Sequence, residues 1–496
     1  MSPRRALLAL LVTQLGFFLF FSRYRFACPD EGLYLMAAKL VSQGQRPYLD
    51  FFYQQMPALP YVYGAWMKLW GVSWDSGRLL SVLLTTALGG LLWWHVLRLF
   101  SSPWLAFVTG LLYMLNSMVF SAHTLVKTYA LSNLLLFGAY LAGFASSPLL
   151  SGLLLGLAVE TRLYLIALAP VLLVWTWRQA GRSLPAAGRF LTGLSLGLAP
   201  CLFFLFQDNG SFLYDNLLYH LNRSSQPILA SLKQKLAVLL LVTNVQPAYD
   251  GLGGQFALLA AATALGVVIR ERLDPRLLLA FATVATLVVV CLLPSPSFSQ
   301  YFCVCVPYLL ILTAGFERAA GRLAGLQPLV RRLGGTVAVL FALVYTGYAV
   351  FALHKYTVSG HGVPGVESSA GAADWKIETI RSVSGEIQRR LRDPEETVAA
   401  FWPGHLIECD CAVQPGWENQ FALPASFGLP PEQASRYRLP TDQTLRAGFG
   451  AHTPRLVILG NGDFQGMESL YRGVLAVSGY RRVYQLGAAQ IYAAGD

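Results

Sequence analysis

The stretch 29-PDEGLYLMAAKLVSQGQRPYLDFFYQQMPALPYVYG-64 lies between two long apolar segments, at residues 6–22 and 79–97. Its apolar residues recur at the spacing of one helix face, first from Leu33 to Val41 and again from Leu59 to Trp70. The aromatic content of the second helix suits the boundary between lipid and water. The stretch therefore predicts two amphipathic helices that lie along a membrane surface.

The composition of the chain is that of a protein that crosses a membrane several times. Of its 496 residues, 55% are hydrophobic and only 13% are charged, and the mean hydropathy is +0.50. Soluble proteins carry roughly a quarter charged residues, whereas this chain contains repeated apolar runs of about 18 residues or more. Arginines in membrane loops account for the net charge of +11, so no nucleic-acid partner is expected.

Eleven membrane-spanning helices are predicted. The apolar run 149–177 is too long for one span of a hydrocarbon core about 30 Å thick, so we divide it at the polar residues Glu160–Arg162. The first apolar segment has no obvious small-residue cleavage site, and we expect it to remain as a span. The predicted spans are residues 6–22, 79–97, 104–121, 129–145, 149–160, 162–177, 190–206, 252–269, 277–293, 301–316 and 335–353.

Arginines concentrate in the connections that this count places on one side of the membrane. Cytoplasmic loops carry such an excess, so the N-terminus is predicted inside and the C-terminus outside. The sequence predicts a transmembrane domain at 1–353, with a first outer loop at 23–78 and a second outer region at about 207–251, and an extracytoplasmic domain at 354–496. The predicted inner arginines are Arg98, Arg178, Arg182, Arg189, Arg270, Arg272, Arg276, Arg318, Arg322, Arg331 and Arg332.

The tail 354–496 differs in composition from the rest of the chain. The segment 374-DWKIETIRSVSGEIQRRL-391 has the pattern of an amphipathic helix, and 397-TVAAFW-402 and 455-RLVILG-460 that of buried strands. A further helix is predicted at 466-GMESLYRGVLAVS-478. A segment of roughly 140 residues can bury its own core. We therefore expect a small α/β domain outside the membrane.

Asp30 and Glu31 form an acidic pair at the start of the first amphipathic helix. Residue types alone leave two interpretations open. Carboxylates favour the first turn of a helix because they bond its free N–H groups and oppose its dipole. Alternatively, the pair serves as a general base or as a metal ligand at the membrane face.

The first outer loop, after one span and before an arginine-led second span at Arg78, resembles that of C-type integral membrane glycosyltransferases. The resemblance is to their bacterial protein-mannosyltransferase or aminoarabinose-transferase type, and 299-SQYFCVCVPYLLILTAG-315 is also similar to this type. It implies a polytopic helical fold with two interfacial helices, an outer C-terminal domain and a polyprenyl-phosphate sugar donor. It also implies that Asp30 is the catalytic acid of this loop, with Glu31 as its neighbour.

The sequence departs from this family in its second outer loop. Many relatives carry a second acid there, whereas 121-SAHTLVKTYALSN-133 offers His123 and Lys127. A divalent metal, with Glu31 as a ligand, is therefore only one option, because Lys127 can do part of the work of a metal. No other cofactor is expected.

The remaining candidates are cations that would contact the donor phosphate or the substrate. A fixed cation stabilises the negative charge that develops on a leaving phosphate, and Arg78, Lys127 and Arg162 are predicted on the outer side. Each also has a structural explanation: an interfacial anchor, a lysine that reaches out of its helix, and an ion pair with Glu160. His220 and Arg223 could contact the acceptor or the sugar, or simply lie on the surface.

The leading hypothesis is an enzyme of a cell inner membrane that moves a sugar from a polyprenyl phosphate by inverting displacement. The acceptor, whether a lipid, a protein or a polysaccharide, and the sugar itself are left open. Alternatives are a flippase or transporter of lipid-linked glycans, for which the pseudo-repeats of transporters are not evident, a glycan polymerase or ligase, and a membrane anchor for the tail. No phosphate-binding glycine loop supports a nucleotide-sugar donor.

Overall fold

The computed structural model describes residues 2–223, 227–245, 253–269, 274–324, 328–366, 371–461 and 467–495. Residues 269, 317–324, 328–333 and 467 are described by their backbone alone. The predicted inner arginines Arg270 and Arg272 lie outside the described residues.

The first outer loop contains the two predicted helices. The first of them begins with Pro29, whose fixed φ and missing N–H suit the first helical position. The helix that follows the loop is capped by Ser73, whose side chain accepts a hydrogen bond from the Ser76 N–H. The loop helices are α2 (Pro29–Ser42) and α3 (Ala58–Trp70). The helix before the loop is α1 (Pro3–Tyr24), and the helix after it is α4 (Trp74–Phe100).

Two of the predicted spans are bent rather than straight. The span predicted at 104–121 bends by 58°, where Asn116 caps a second helix by accepting a hydrogen bond from the Val119 N–H. The span predicted at 190–206 bends by 51° just before Pro200, which cannot donate a helical hydrogen bond. The helices of this region are α5 (Pro103–Met114), α6 (Ser117–His123), α7 (Thr128–Phe144), α8 (Pro148–Val159), α9 (Ala169–Gln179), α10 (Leu184–Gly197) and α11 (Ala199–Gln207), and a 3₁₀ helix at Leu163–Leu168 precedes α9.

The second outer region contains a 15-residue apolar helix, Ile228–Val242, that the sequence analysis missed. Its Gln234 side chain donates to the Ser297 carbonyl at 2.7 Å and accepts from the Ser297 N–H at 3.1 Å, which ties the helix to the loop before the tenth predicted span. The helices of this region are α12 (Asn209–Leu213), α13 (Tyr219–Arg223), α14 (Ile228–Val242), α15 (Gly253–Ile269), α16 (Leu278–Leu292), α17 (Val306–Ala324) and α18 (Pro328–His354). Short 3₁₀ and π turns lie at Tyr214–Leu218, Pro275–Leu277, Ser299–Cys305 and Lys355–Ser359.

Within the described ranges, five helices are long and apolar enough to cross a membrane, or up to seven if each bent pair is one span. Shorter apolar helices lie at Thr128–Phe144, Pro148–Val159, Leu163–Gln179 and Gly253–Val268. Each of the eleven predicted spans therefore falls on an apolar helix or on a bent pair. How many of them cross the membrane stays a prediction.

Glycines allow α8 and α10 to pack backbone against backbone. A Cβ atom on Gly152 would lie 2.0 Å from the Phe190 carbonyl oxygen, and one on Gly193 would lie 2.1 Å from that of Leu149. Such small-residue contacts are typical of helices that associate in a membrane. Gly156 and Gly197 make the same kind of contact near the end of α8, shortly before Arg162.

The tail contains the predicted α/β fold. Its elements are α19 (Ile377–Arg390), β1 (Thr397–Ala400), β2 (Ala412–Val413), α20 (Ala422–Ser426), α21 (Pro431–Arg436), α22 (Asp442–Gly450), β3 (Leu456–Leu459), α23 (Met467–Val477), β4 (Arg481–Leu486) and β5 (Ala489–Ala493). The five strands form one sheet of order β2-β1-β3-β5-β4, in which β1 is parallel to β2 and β3, and β5 is antiparallel to β3 and β4.

The helix α2 differs from the surface helix that its sequence pattern predicts. Its residues from Glu31 to Leu40 are all buried, because α3 and α4 pack on it from one side and the tail domain from another. One continuous hydrophobic core includes Leu10 of α1, Leu35 of α2 and Ile458 of β3. By contrast, α3 keeps Leu69 and Trp70 exposed, as expected of an interfacial helix.

Candidate active site

A large cavity lies where the first outer loop, the helical segments and the tail domain meet. Its volume is about 1130 Å³. Polar and aromatic groups dominate the part of the wall near α2, and apolar residues dominate the part near residues 293–298. The wall is built from residues of the segments 25–34, 54–56, 121–129, 162–164, 214–223, 293–301, 356–365 and 421–427.

Asp30 lies in this wall, at the second position of α2. Its side chain is 38% exposed, and its Oδ2 lies 3.1 Å from the Nζ of Lys127, which is only 5% exposed. Lys127 immediately precedes α7, so the pair joins the starts of two helices. A carboxylate and an ammonium group therefore stand side by side at the cavity.

Glu31 and Arg78 face away from the cavity and neutralise each other. Arg78 donates from Nη2 to Oε2 of Glu31 at 2.7 Å and from Nε to Oε1 at 2.9 Å, and both side chains are buried. The Val126 N–H donates to the same carboxylate at 3.2 Å. Neither Glu31 nor Arg78 lines the cavity. Their ion pair is structural, because it joins the first outer loop to α4.

The contacts of Glu31 also decide whether it fits the divalent metal that the sequence left open. The Glu31 carboxylate is already engaged by Arg78 and a backbone N–H, so it does not fit the role of a metal ligand. Within the part of the chain that the structure describes, no three His, Cys, Asp or Glu side chains are grouped to hold an ion. We derive no chemical step from a metal.

Arg162 is a buried cation of the cavity wall, enclosed by aromatic rings. Its guanidinium carbon lies 4.0 Å from the ring centre of Tyr129, 5.3 Å from that of Tyr164 and 5.4 Å from that of Tyr301. Its Nε donates to the Thr128 hydroxyl at 2.5 Å, and Nη1 donates to the Tyr164 hydroxyl. Among the described residues it has no carboxylate partner.

The ion pair considered between Glu160 and Arg162 does not form in the structure. Instead, Glu160 accepts a hydrogen bond from the Cys201 N–H at 2.9 Å. The two residues point to different neighbours because α8 ends at Val159, Glu160 caps it, and the backbone is extended again at Arg162. The positive charge of Arg162 is therefore left available to an anion in the cavity.

His220 and Arg223 lie in the wall on α13. The His220 Nε2 donates to the Gln54 carbonyl at 2.9 Å, and burial, with a smaller effect of Arg223, lowers the pKa of this imidazole. Arg223 is exposed, and its guanidinium carbon lies 5.8 Å from the ring centre of Phe421. His220 thus joins α13 to the first outer loop, whereas Arg223 faces the cavity beside the tail.

The sequence analysis missed Arg25, which also lines the cavity. It is buried, its Nη1 donates to the Phe26 carbonyl at 2.6 Å, and its guanidinium lies over the ring of Tyr356. Burial lowers its pKa, as expected for a cation removed from water. An arginine at the outer end of the first span runs against the positive-inside pattern, and that was the signal that could have found it.

The charges along the described cavity wall are strongly unequal. Four cations, Arg25, Lys127, Arg162 and Arg223, face a single carboxylate, Asp30. A cavity lined by one sign of charge concentrates ligands of the opposite sign. The arrangement therefore fits an anionic ligand whose apolar part contacts the wall near residues 293–298.

Solved structures with this arrangement of helices and tail exist. The crystal structure of ArnT from Cupriavidus metallidurans in the apo state superposes with a TM-score of 0.68, at 16% identity over 100% of both chains. The chain has the ArnT fold. ArnT from the same organism bound to undecaprenyl phosphate gives a TM-score of 0.67, at 14% identity over 99% of both chains. No protein-family model matches the chain, and the comparison with curated proteins found no match.

The ArnT fold confirms, at the level of structure, the resemblance that the first outer loop suggested. It covers the tail domain as well as the helical part, because the match runs over the full length of both chains. With so few identical residues, the likeness is one of fold, and the roles of individual side chains rest on the geometry of this chain.

Proposed function

We propose that the protein is a membrane glycosyltransferase that moves a sugar from a polyprenyl-phosphate donor to an acceptor. The observation that carries the proposal is the cavity that places one carboxylate, Asp30, beside Lys127 and near Arg162. Support also comes from the ArnT fold, one solved example of which is bound to undecaprenyl phosphate. The cavity faces the outer side of the inner membrane in the predicted orientation, with the N-terminus in the cytoplasm.

In the proposed reaction, an acceptor hydroxyl attacks the anomeric carbon of the sugar, and the bond to the phosphate oxygen breaks. Asp30 takes the proton of the hydroxyl as general base. Attack from the face opposite the phosphate inverts the anomeric configuration. The sugar is transferred, and the polyprenyl phosphate leaves with the electron pair of the broken bond.

Lys127 and Arg162 would stabilise the negative charge that develops on the leaving phosphate. A lysine ammonium has three N–H donors, and in this structure one is directed at Asp30, so others can reach a phosphate oxygen. Arg162 presents a planar guanidinium without a carboxylate partner among the described residues, which suits a phosphate. Both are buried, and charges act more strongly where water is excluded.

Consumption of the donor tests this function. The purified protein in lipid nanodiscs would be given a pool of polyprenyl-phosphate sugars and an envelope extract, and each donor would be followed by mass spectrometry. We expect one donor to fall and polyprenyl phosphate to appear. If every donor stays intact while labelled donor crosses vesicle membranes that contain the protein, the flippase alternative replaces the proposal.

A further inference from the structure

Two side chains of the tail domain converge on the carbonyl oxygen of Pro29, the residue before Asp30. The Trp402 Nε1–H donates to it at 2.8 Å, and the Gln420 Nε2–H donates to it at 3.0 Å. Both donors are buried. Trp402 lies two residues after the end of β1, and Gln420 lies in the segment that precedes α20, so two separate parts of the tail meet at one atom of α2.

The tail domain also holds α2 at two further points. A Cβ atom on Gly32 would lie 2.9 Å from the Trp402 ring and 2.9 Å from the Gly404 nitrogen, so only glycine allows this approach. Near the other end of α2, the Lys39 ammonium donates to the carbonyls of Leu406 at 2.7 Å and Cys409 at 2.6 Å. The helix is therefore fixed along its length and about its axis.

Trp402 is itself held rigidly. Its ring centre lies 5.9 Å from that of Trp74, 5.0 Å from that of Trp375 and 5.1 Å from that of His405, and its side chain is fully buried. Buried side chains packed on several sides have few alternative rotamers. The position of its N–H is consequently set by the fold of the tail domain rather than by Pro29.

We infer that the tail domain is a positioning device for Asp30, which acts through the hydrogen bonds of Trp402 and Gln420 to the Pro29 carbonyl. The inference rests on the proposed function, in which Asp30 is the base. Neither Trp402 nor Gln420 lines the cavity. Their hydrogen bonds fix the first turn of α2, and with it the direction of the Asp30 carboxylate. A displacement of about 1 Å at a reacting group can cost on the order of 100-fold in rate.

Three single variants test the inference in nanodiscs. Trp402→Phe keeps an aromatic ring and removes the N–H, and Gln420→Met keeps the length of the side chain and removes the amide. Trp417→Phe is the matched control, because Trp417 is buried in the tail and its Nε1 has no hydrogen-bond partner among the residues that the structure describes. We expect kcat to fall by about tenfold in each of the first two variants, with an unchanged KM for the donor, and we expect both to stay at wild-type values in the control.

A second measurement separates this inference from the proposed function. Cys28 precedes Pro29 and lines the cavity, so the rate at which a maleimide labels it reports on the start of α2 without any turnover. Trp402→Phe and Gln420→Met are expected to speed labelling of Cys28, whereas Trp417→Phe is not. If wild type consumes no donor but the labelling rates differ in this way, the proposed function fails and the positioning stands.

Two outcomes would overturn the inference. One is a kcat and a labelling rate in Trp402→Phe and Gln420→Met equal to those of Trp417→Phe. The other is a higher KM at constant kcat, which would make these residues part of substrate binding. If Trp402→Phe does not fold, Gln420→Met alone decides between these results.

Discussion

The Nζ atom of Lys127 lies 3.1 Å from Oδ2 of Asp30, although 97 positions separate the two residues in the chain. The contact brings the first outer loop and the start of α7 together at the cavity wall. Both residues line the cavity, where the carboxylate is partly exposed and the cation beside it is buried. An acceptor hydroxyl and a donor phosphate could therefore meet a base and a positive charge at the same point.

Replacement of Lys127 by Met removes this charge. We expect the affinity for undecaprenyl phosphate to fall by roughly 10-fold or more, because hydrogen bonds to charged groups contribute about 1.5–3 kcal/mol. Lys127→Arg, which keeps the charge, should retain part of the affinity. The dissociation constant is measured by native mass spectrometry of the protein with added undecaprenyl phosphate. An unchanged dissociation constant in Lys127→Met would show that Lys127 does not bind the phosphate.

Arg162→Gln should weaken the same binding by a similar factor of roughly 10-fold, since it removes a buried guanidinium that has no described carboxylate partner. The matched control is Arg46→Gln. Arg46 is exposed, pairs with Asp50 at 3.2 Å and is not part of the cavity wall. Equal losses in Arg162→Gln and Arg46→Gln would show a general effect of net charge rather than a defined site.

The pair of Glu31 and Arg78 should matter for folding more than for chemistry. Glu31→Gln leaves the Arg78 charge buried without its counterion, which costs about 3–5 kcal/mol in such cases. We expect a lower midpoint of thermal unfolding in detergent, and partial recovery in the double variant Glu31→Gln/Arg78→Gln. If Glu31→Gln keeps wild-type stability but loses turnover, Glu31 belongs to the reaction after all.

Glu418, in the tail domain, makes stability depend on pH. Its side chain is buried, and burial raises its pKa from an ordinary 4.5 to about 8. Between these two pH values the unfolded chain releases a proton that the folded chain keeps, so the free energy of unfolding falls as the pH rises. The contribution of Glu418 to that free energy is fully present below pH 4.5 and is lost as the pH rises through 8.

Glu418→Gln should abolish this dependence and raise the stability at pH 8 by about 1 kcal/mol or more. The measurement is the midpoint of thermal unfolding of both proteins, followed by tryptophan fluorescence between pH 5 and pH 9. Two results would contradict this role of Glu418: a wild-type midpoint that rises with pH across this range, or a Glu418→Gln midpoint that changes with pH as much as that of wild type.

Much of the helical part could be predicted because burial in lipid leaves long apolar runs in the sequence. The missed helix α14 shows the limit of that signal, since Lys233 and Lys235 interrupt a run of 15 residues. The covered face of α2 has no local signature either. It depends on Trp402, which reaches Pro29 across 373 positions of the chain.

The candidate site was predictable where a charged residue stands in an apolar stretch of sequence and also reaches the cavity wall. Asp30, Lys127 and Arg162 line the cavity as unusual charges in apolar surroundings. Glu31 and Arg78 look the same in sequence, but they are 47 positions apart and neutralise each other. Only the folded chain separates a buried ion pair from a charge that faces a ligand.

The most direct test of the account is a comparison of wild type with Asp30→Asn, a nearly isosteric change that removes the base. Both proteins would be incubated in nanodiscs with the donor that wild type consumes, and transfer and undecaprenyl-phosphate binding would be measured in parallel. We expect transfer to fall by about 10²–10⁴-fold while binding of the lipid phosphate is retained. Transfer at the wild-type rate by Asp30→Asn would contradict the assignment of Asp30 as the base.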